Sequence, residues 1–380
     1  MTSIGGAEMV DWNLAVATAT RLVRPGPEVS RDEARAIVAE LRRHAKSSEE
    51  HVRSFTRMGP DHGGEGGPLH DTPVLVVDRP GWVRANVAGF REVLKPLLEK
   101  MQDRRPGGPG GAMLGAVGGK VTGVELGMLL SFLASRVLGQ YETFAPASRD
   151  LPAAPNGGGR LLLVAPNIVH VERELEVDPH DFRLWVCLHE ETHRTQFTAV
   201  PWLRDHLEGE IQSFLGETEV DPMTILERFR EAASTLAGQR PEGDDDDGGR
   251  SIVELVQTPQ QREILNRLTA VMSLLEGHAD FVMDGVGPDV VPSVAEIREK
   301  FQQRRARGAS RLDQALRKLL GLDAKLRQYR DGERFVRAVV DEVGMDGFNR
   351  VWTSPNTLPT KAEIAKPADW VARVHRKAES

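Results

Sequence analysis

The chain has 380 residues, 40% of them hydrophobic and 28% charged; these ordinary globular proportions exclude global disorder, a collagen-like repeat and a membrane bundle. That length is ample for a full core, so neither a metal nor a disulfide is needed merely to fold. Lys and Arg total 49 against 56 Asp and Glu, a net charge of −7, which disfavours general nucleic-acid binding because phosphates require clustered cations. The single cysteine, Cys187, rules out an internal disulfide scaffold. The first residues lack the basic start and long apolar run of a secretion signal, so the expectation is a cytoplasmic protein with neither nucleic acid nor membrane as a partner.

Residues 11–58 read as helical. Trp12, Leu14, Ala15, Ala19 and Leu22 recur at helical spacing, Pro25-Gly26-Pro27 breaks the chain, and Ser30 with Glu33 caps a second helix. A loop at 59–71 precedes a short strand at 74–78, which leads into a helix from Trp82 to about Met101. The apolar, glycine-rich stretch 112–138 is neither a phosphate loop nor a membrane span. Gly119-Lys120 is followed by Val121 rather than Ser or Thr, and Lys120 and Glu125 interrupt the apolar run. It reads as a buried helix whose glycines permit close packing.

Leu161 to Val164 form a strand candidate, with 168–171 as a candidate extension beyond Pro166. Asp178-Pro179-His180-Asp181 then opens a helix that should run to about Phe197: Asp178 is a good N-cap and Pro179 suits the first helical position. Residues 238–250 form a disordered acidic insert; the aspartates at 244–247 have no calcium-ligand frame around them. Helices resume at about 258–284, 294–307 and 312–341. The expected fold is mainly α with a small β-sheet, an α+β arrangement. It divides into an N-terminal helical region (1–150), a strand and helix region (151–237), the insert (238–250) and a C-terminal helical region (251–380), together one compact catalytic unit.

His189-Glu190-Glu191-Thr192-His193 matches H-E-x-x-H inside the helix that opens at Asp178. Four residues advance a helix by about 400°, so the two histidines share a face one turn apart and can reach one Zn²⁺. Glu190 is rotated by about 100° from His189, placed to accept a proton from water acidified by the metal. Glu191 points away and is read as structural, and Cys187 as a small buried apolar residue.

A catalytic zinc site needs a third protein ligand and an open position. Leu274-Leu275-Glu276-Gly277-His278-Ala279-Asp280 interrupts an apolar helix with three polar groups, which require partners if buried. Glu276 and Asp280 share a face. Glu276 is the favoured ligand, with Asp280 accepting the free N–H of a ligand histidine; His278 is the alternative ligand.

HEETH followed by a helix with E-x-x-x-D resembles the gluzincin group of zinc metallopeptidases. More narrowly, the chain is similar to a bacterial family of zinc-dependent metalloprotease-like hydrolases, sometimes labelled as associated with deazaflavin-coenzyme biosynthesis. Beyond the two helices the similarity includes Asp11-Trp12, Leu138-Gly139-Gln140-Tyr141, Val164-Ala165-Pro166-Asn167 and Trp352 with Leu358-Pro359-Thr360. It implies a zincin-like metallopeptidase fold and zinc dependence. His278 and Tyr329 are candidates for stabilising the developing oxyanion, and 161–167 is the strand proposed to pin an extended substrate. The expected activity is zinc-dependent hydrolysis of a peptide or another amide. The alternative from a different class is a zinc-binding interaction partner without turnover.

Overall fold

Leu161, Leu162, Leu163 and Val164 have no solvent exposure. An unbroken apolar run suits a strand covered on both faces, and the computed structural model places it so. The structure describes residues 10–59, 72–103, 109–144, 152, 159–216, 259–307 and 322–376. The acidic insert at 238–250 and the side chain of Tyr329 lie outside the described residues.

β3 (Arg160–Val164) is the centre of a three-stranded sheet. It runs parallel to β1 (Val74–Val77) and antiparallel to β2 (Gly139–Glu142). On one face Leu163 packs among α2 (Arg31–Thr56), α5 (Ala165–Leu175) and α6 (Pro179–Ala199). On the other, Leu162 and Val164 pack among α1 (Trp12–Leu22), α3 (Arg79–Asp103) and α4 (Pro109–Ala134). The glycines of α4 behave as expected: a Cβ on Gly123 would lie 2.6 Å from the Asp11 carbonyl oxygen, and one on Gly127 2.6 Å from Thr18 Cβ, so α4 docks on α1 through bare backbone. Among the described residues no helix is long and apolar enough to cross a membrane.

Two readings of the sequence are corrected here. Residues 168–171 do not extend the strand; they belong to α5, where Pro166 occupies the first turn and Ile168, Val169, Val171 and Leu175 form the buried stripe. Proline's fixed φ suits that opening position. The sequence also gives no sign of the strand β2, which pairs Gly139 with Leu163 and Tyr141 with Leu161.

α6 begins as its sequence predicts, with Asp178 accepting from the Asp181 amide at 2.9 Å and Pro179 in the first turn. A second apolar cluster joins α7 (Pro201–Gly216), α8 (Pro259–Gly285) and α10 (Leu322–Phe348) to the C-terminal run that includes Trp352 and Trp370. α9 (Val294–Arg307) packs back against α5 and α6. α8 and α10 cross at Gly277 and Gly332, where a Cβ on either residue would overlap the backbone of the facing helix. The glycine between Glu276 and His278 is therefore a packing requirement, and it fixes how far α8 stands from its neighbours.

Candidate metal centre

α6 and α8 face each other across the site. His189 and His193 project from one face of α6 with their Nε2 atoms 3.2 Å apart. Glu276 on α8 meets both: Oε2 lies 3.8 Å from His189 Nε2 and Oε1 3.8 Å from His193 Nε2. Tetrahedral zinc with ligands at about 2.0–2.1 Å separates donor atoms by about 3.3–3.4 Å, so the three side chains fit one such ion. Glu276, and not His278, is the residue of α8 that the structure brings to the two histidines.

The outer nitrogens of both rings are engaged. His189 Nδ1 lies 3.1 Å from Met283 Sδ and 3.6 Å from Asp280 Oδ1, so Asp280 stands beside the outer nitrogen of one of the two histidines. His193 Nδ1 pairs with Gln196 Oε1 at 2.9 Å. The Gln196 amide nitrogen donates to the Leu275 carbonyl at 2.9 Å and lies 3.1 Å from His278 Nδ1. With its NH₂ spent on those acceptors, Gln196 offers only its oxygen to His193. That holds the proton on His193 Nδ1 and leaves Nε2 free for a metal. Gln196 was missed in the sequence; a neutral side chain three residues past a histidine carries no signal there, since its other partners come from α8. Gln196→Ala is expected to weaken zinc affinity by about 10–100-fold, measured by competition with a chromophoric chelator.

His278 is fully buried. It stacks on Phe348 with ring centroids 5.3 Å apart and tilts against Trp352 at 5.4 Å. Its Nδ1 lies 3.1 Å from the Gln196 amide nitrogen, and it does not line the cleft. Burial, reinforced by the nearby His193 charge, pushes its pKa from 6.5 down to about 3. Between those values the unfolded chain binds a proton that the folded protein refuses, so stability falls as pH falls, by up to about 1.4 kcal/mol per pH unit. In chelator-stripped protein, His278→Leu is expected to flatten the loss of unfolding free energy between pH 6.5 and pH 4; an unchanged slope would show that His278 does not titrate this way.

Glu190 is buried at the wall of the cleft and leans on β2: a Cβ on Gly139 would lie 2.5 Å from its Cγ and 2.6 Å from its Cδ. Burial first, and the Glu276 charge second, push its pKa well above the ordinary carboxylate value. Glu191 points the other way, as the helical angle requires, into a buried ion pair with Arg194 at 2.9 Å. Arg194 also reaches Glu49 on α2 at 3.1 Å. Burial raises Glu191 to about 8 against the pull of Arg194. Cys187 is buried beneath α2, away from the site.

A cleft of about 700 Å³ opens over His189, Glu190, His193 and Glu276. Residues 139–144 form one side, and Phe90, Val93, Phe197, Ile211, Leu268 and Met272 make much of the rest apolar. This corrects the strand proposed for pinning substrate. Among the described residues β3 is hydrogen-bonded on both edges, whereas β2 is the end strand of the sheet and lines the cleft.

The chain matches the model of the zincin-like metallopeptidase family over residues 10–371. It belongs to that family. A protein from Chloroflexus aurantiacus, whose crystal structure is described as "a putative hydrolase with a novel fold", is 30% identical, with a TM-score of 0.66. The similarity covers 97% of this chain and 99% of that one. No curated protein matches the chain. The mainly helical architecture with its small sheet agrees with the expected fold class.

Proposed function

We propose that the protein is a zinc-dependent hydrolase, and specifically a metallopeptidase. His189, His193 and Glu276 hold the metal, Glu190 is the general base, and Asp280 and Gln196 orient the two histidines. The observation that carries the reading is the convergence of three donor atoms at zinc-ligand spacing with a buried carboxylate beside them, all facing one cleft. Zinc bound there supplies a Lewis acid that polarises a carbonyl and acidifies water.

The chain's own residues do the rest. Glu190 accepts the proton from the attacking water and returns it to the leaving amine. A cation held by His189, His193 and Glu276 would favour the ionised form of Glu190 against the effect of burial. Its position against Gly139 limits its movement, so the carboxylate stays aimed at the cleft. β2 stands at the end of the sheet order and lines the cleft, so an extended peptide would lie along it, and the apolar walls take its side chains while excluding water.

A purely structural zinc has no use for a buried carboxylate next to its first histidine, which favours turnover over the interaction-partner alternative. The test is incubation of zinc-loaded protein with a peptide library, with and without chelator. Cleavage that the chelator abolishes supports a metallopeptidase. Cleavage of non-peptide amides but no peptide would move the substrate class, and no hydrolysis of either would favour the non-catalytic alternative.

A further inference from the structure

A second set of metal-ligating side chains lies about 13 Å along α6 from His189, at the start of that helix. Glu40 and His44 stand four residues apart on α2, and His180 projects from the first turn of α6. Glu40 Oε1 lies 3.0 Å from His180 Nδ1 and 3.5 Å from His44 Nε2. One donor atom from each residue falls within 4.8 Å of the others. The pattern parallels the candidate metal centre, with two ligands at i and i+4 on one helix and the third from the helix packed against it.

His44 is what makes the cluster more than a surface ion pair. Its side chain is 8% exposed, and the buried Nε2 makes no well-formed hydrogen bond, with Glu40 Oε1 at the long distance of 3.5 Å. A buried polar nitrogen left unpaired is costly, and a bound cation would satisfy it. Arg183 grips Glu40 through its other oxygen and also pairs with Glu172, which fixes the carboxylate with Oε1 turned to the histidines. The charge of Arg183 and the positive end of α6 oppose a cation. Glu40, Glu172, the N-cap Asp178 and Asp181 in the first turn offset them.

We propose that Glu40, His44 and His180 form a second divalent-cation site that clips α2 to the start of the metal-binding helix. Two imidazoles and one carboxylate select a borderline cation such as Zn²⁺ over Mg²⁺ or Ca²⁺. The His180 side chain is 64% exposed, so water has access to complete the coordination. The proposal does not depend on the hydrolase reading.

The test is equilibrium dialysis of chelator-stripped protein against micromolar zinc, followed by metal analysis. The variant His189→Ala with His193→Ala should retain about one zinc per chain, and adding His180→Ala should remove it. His180 is exposed, so this change leaves the core intact. In the otherwise unaltered chain His180→Ala should likewise lower the zinc content by about one, whether or not the first double variant folds. Zinc should also raise the Tm of the His189, His193 variant in a concentration-dependent way that His180→Ala abolishes. Zinc content and Tm indifferent to His180→Ala would overturn the proposal.

Discussion

Replacing Glu190 with Gln is expected to lower the turnover of the zinc-loaded protein at least about 100-fold while leaving its zinc content and Tm nearly unchanged. The substitution keeps the shape of the side chain and removes its ability to accept a proton. Glu190 is not among the three converging donors, so the metal should stay. Its buried place against Gly139 leaves little room for another carboxylate to substitute for it. Gly139→Ala is expected to act in the same direction by another route, because the new Cβ would displace the carboxylate it touches. Steady-state kinetics on a peptide found in the library, with metal analysis of the same samples, checks both. Full activity in the Gln variant would show that the base lies elsewhere.

Glu276→Ala should strip zinc from the candidate centre, with a loss of affinity well beyond the 10–100-fold or so expected of a residue that only orients a ligand. His278→Ala, two residues away, should do something different. The imidazole fills space between Phe348 and Trp352, so its removal should cost about 2–4 kcal/mol of fold stability. Its effect on zinc should be confined to what passes through Gln196. Chelator competition separates the two variants, and denaturant unfolding of the stripped proteins completes the comparison. If His278→Ala releases the metal and Glu276→Ala does not, the site is a three-histidine one and the assignment fails.

Much of the site was legible because it is local. Asp178, Pro179 and the apolar positions of α6 announce a helix, and a helix dictates that His189 and His193 share a face. The same geometry separated Glu276 from His278 on α8. What was not legible depends on partners distant in sequence. β2 is four residues, Gly-Gln-Tyr-Glu, with no β-branched residue and no clean alternation; it is a strand because β3 pairs with it. Which strand lies at the edge beside the cleft follows from sheet order, which the periodicity of a single strand does not contain. Pro166 reads in the sequence as an interruption within a strand, although proline serves equally to open a helix. Gln196 and the cluster of Glu40, His44 and His180 acquire meaning only when α8 and α2 pack on α6.

The central claim is one zinc ion held by His189, His193 and Glu276 with its open side toward the cleft. Anomalous scattering at the zinc edge from zinc-soaked crystals tests it most directly. A peak is expected about 2.0–2.1 Å from His189 Nε2, His193 Nε2 and a Glu276 carboxylate oxygen, on the cleft side of α6. A map with no peak at that point, or with the ion there coordinated without Glu276, would contradict it.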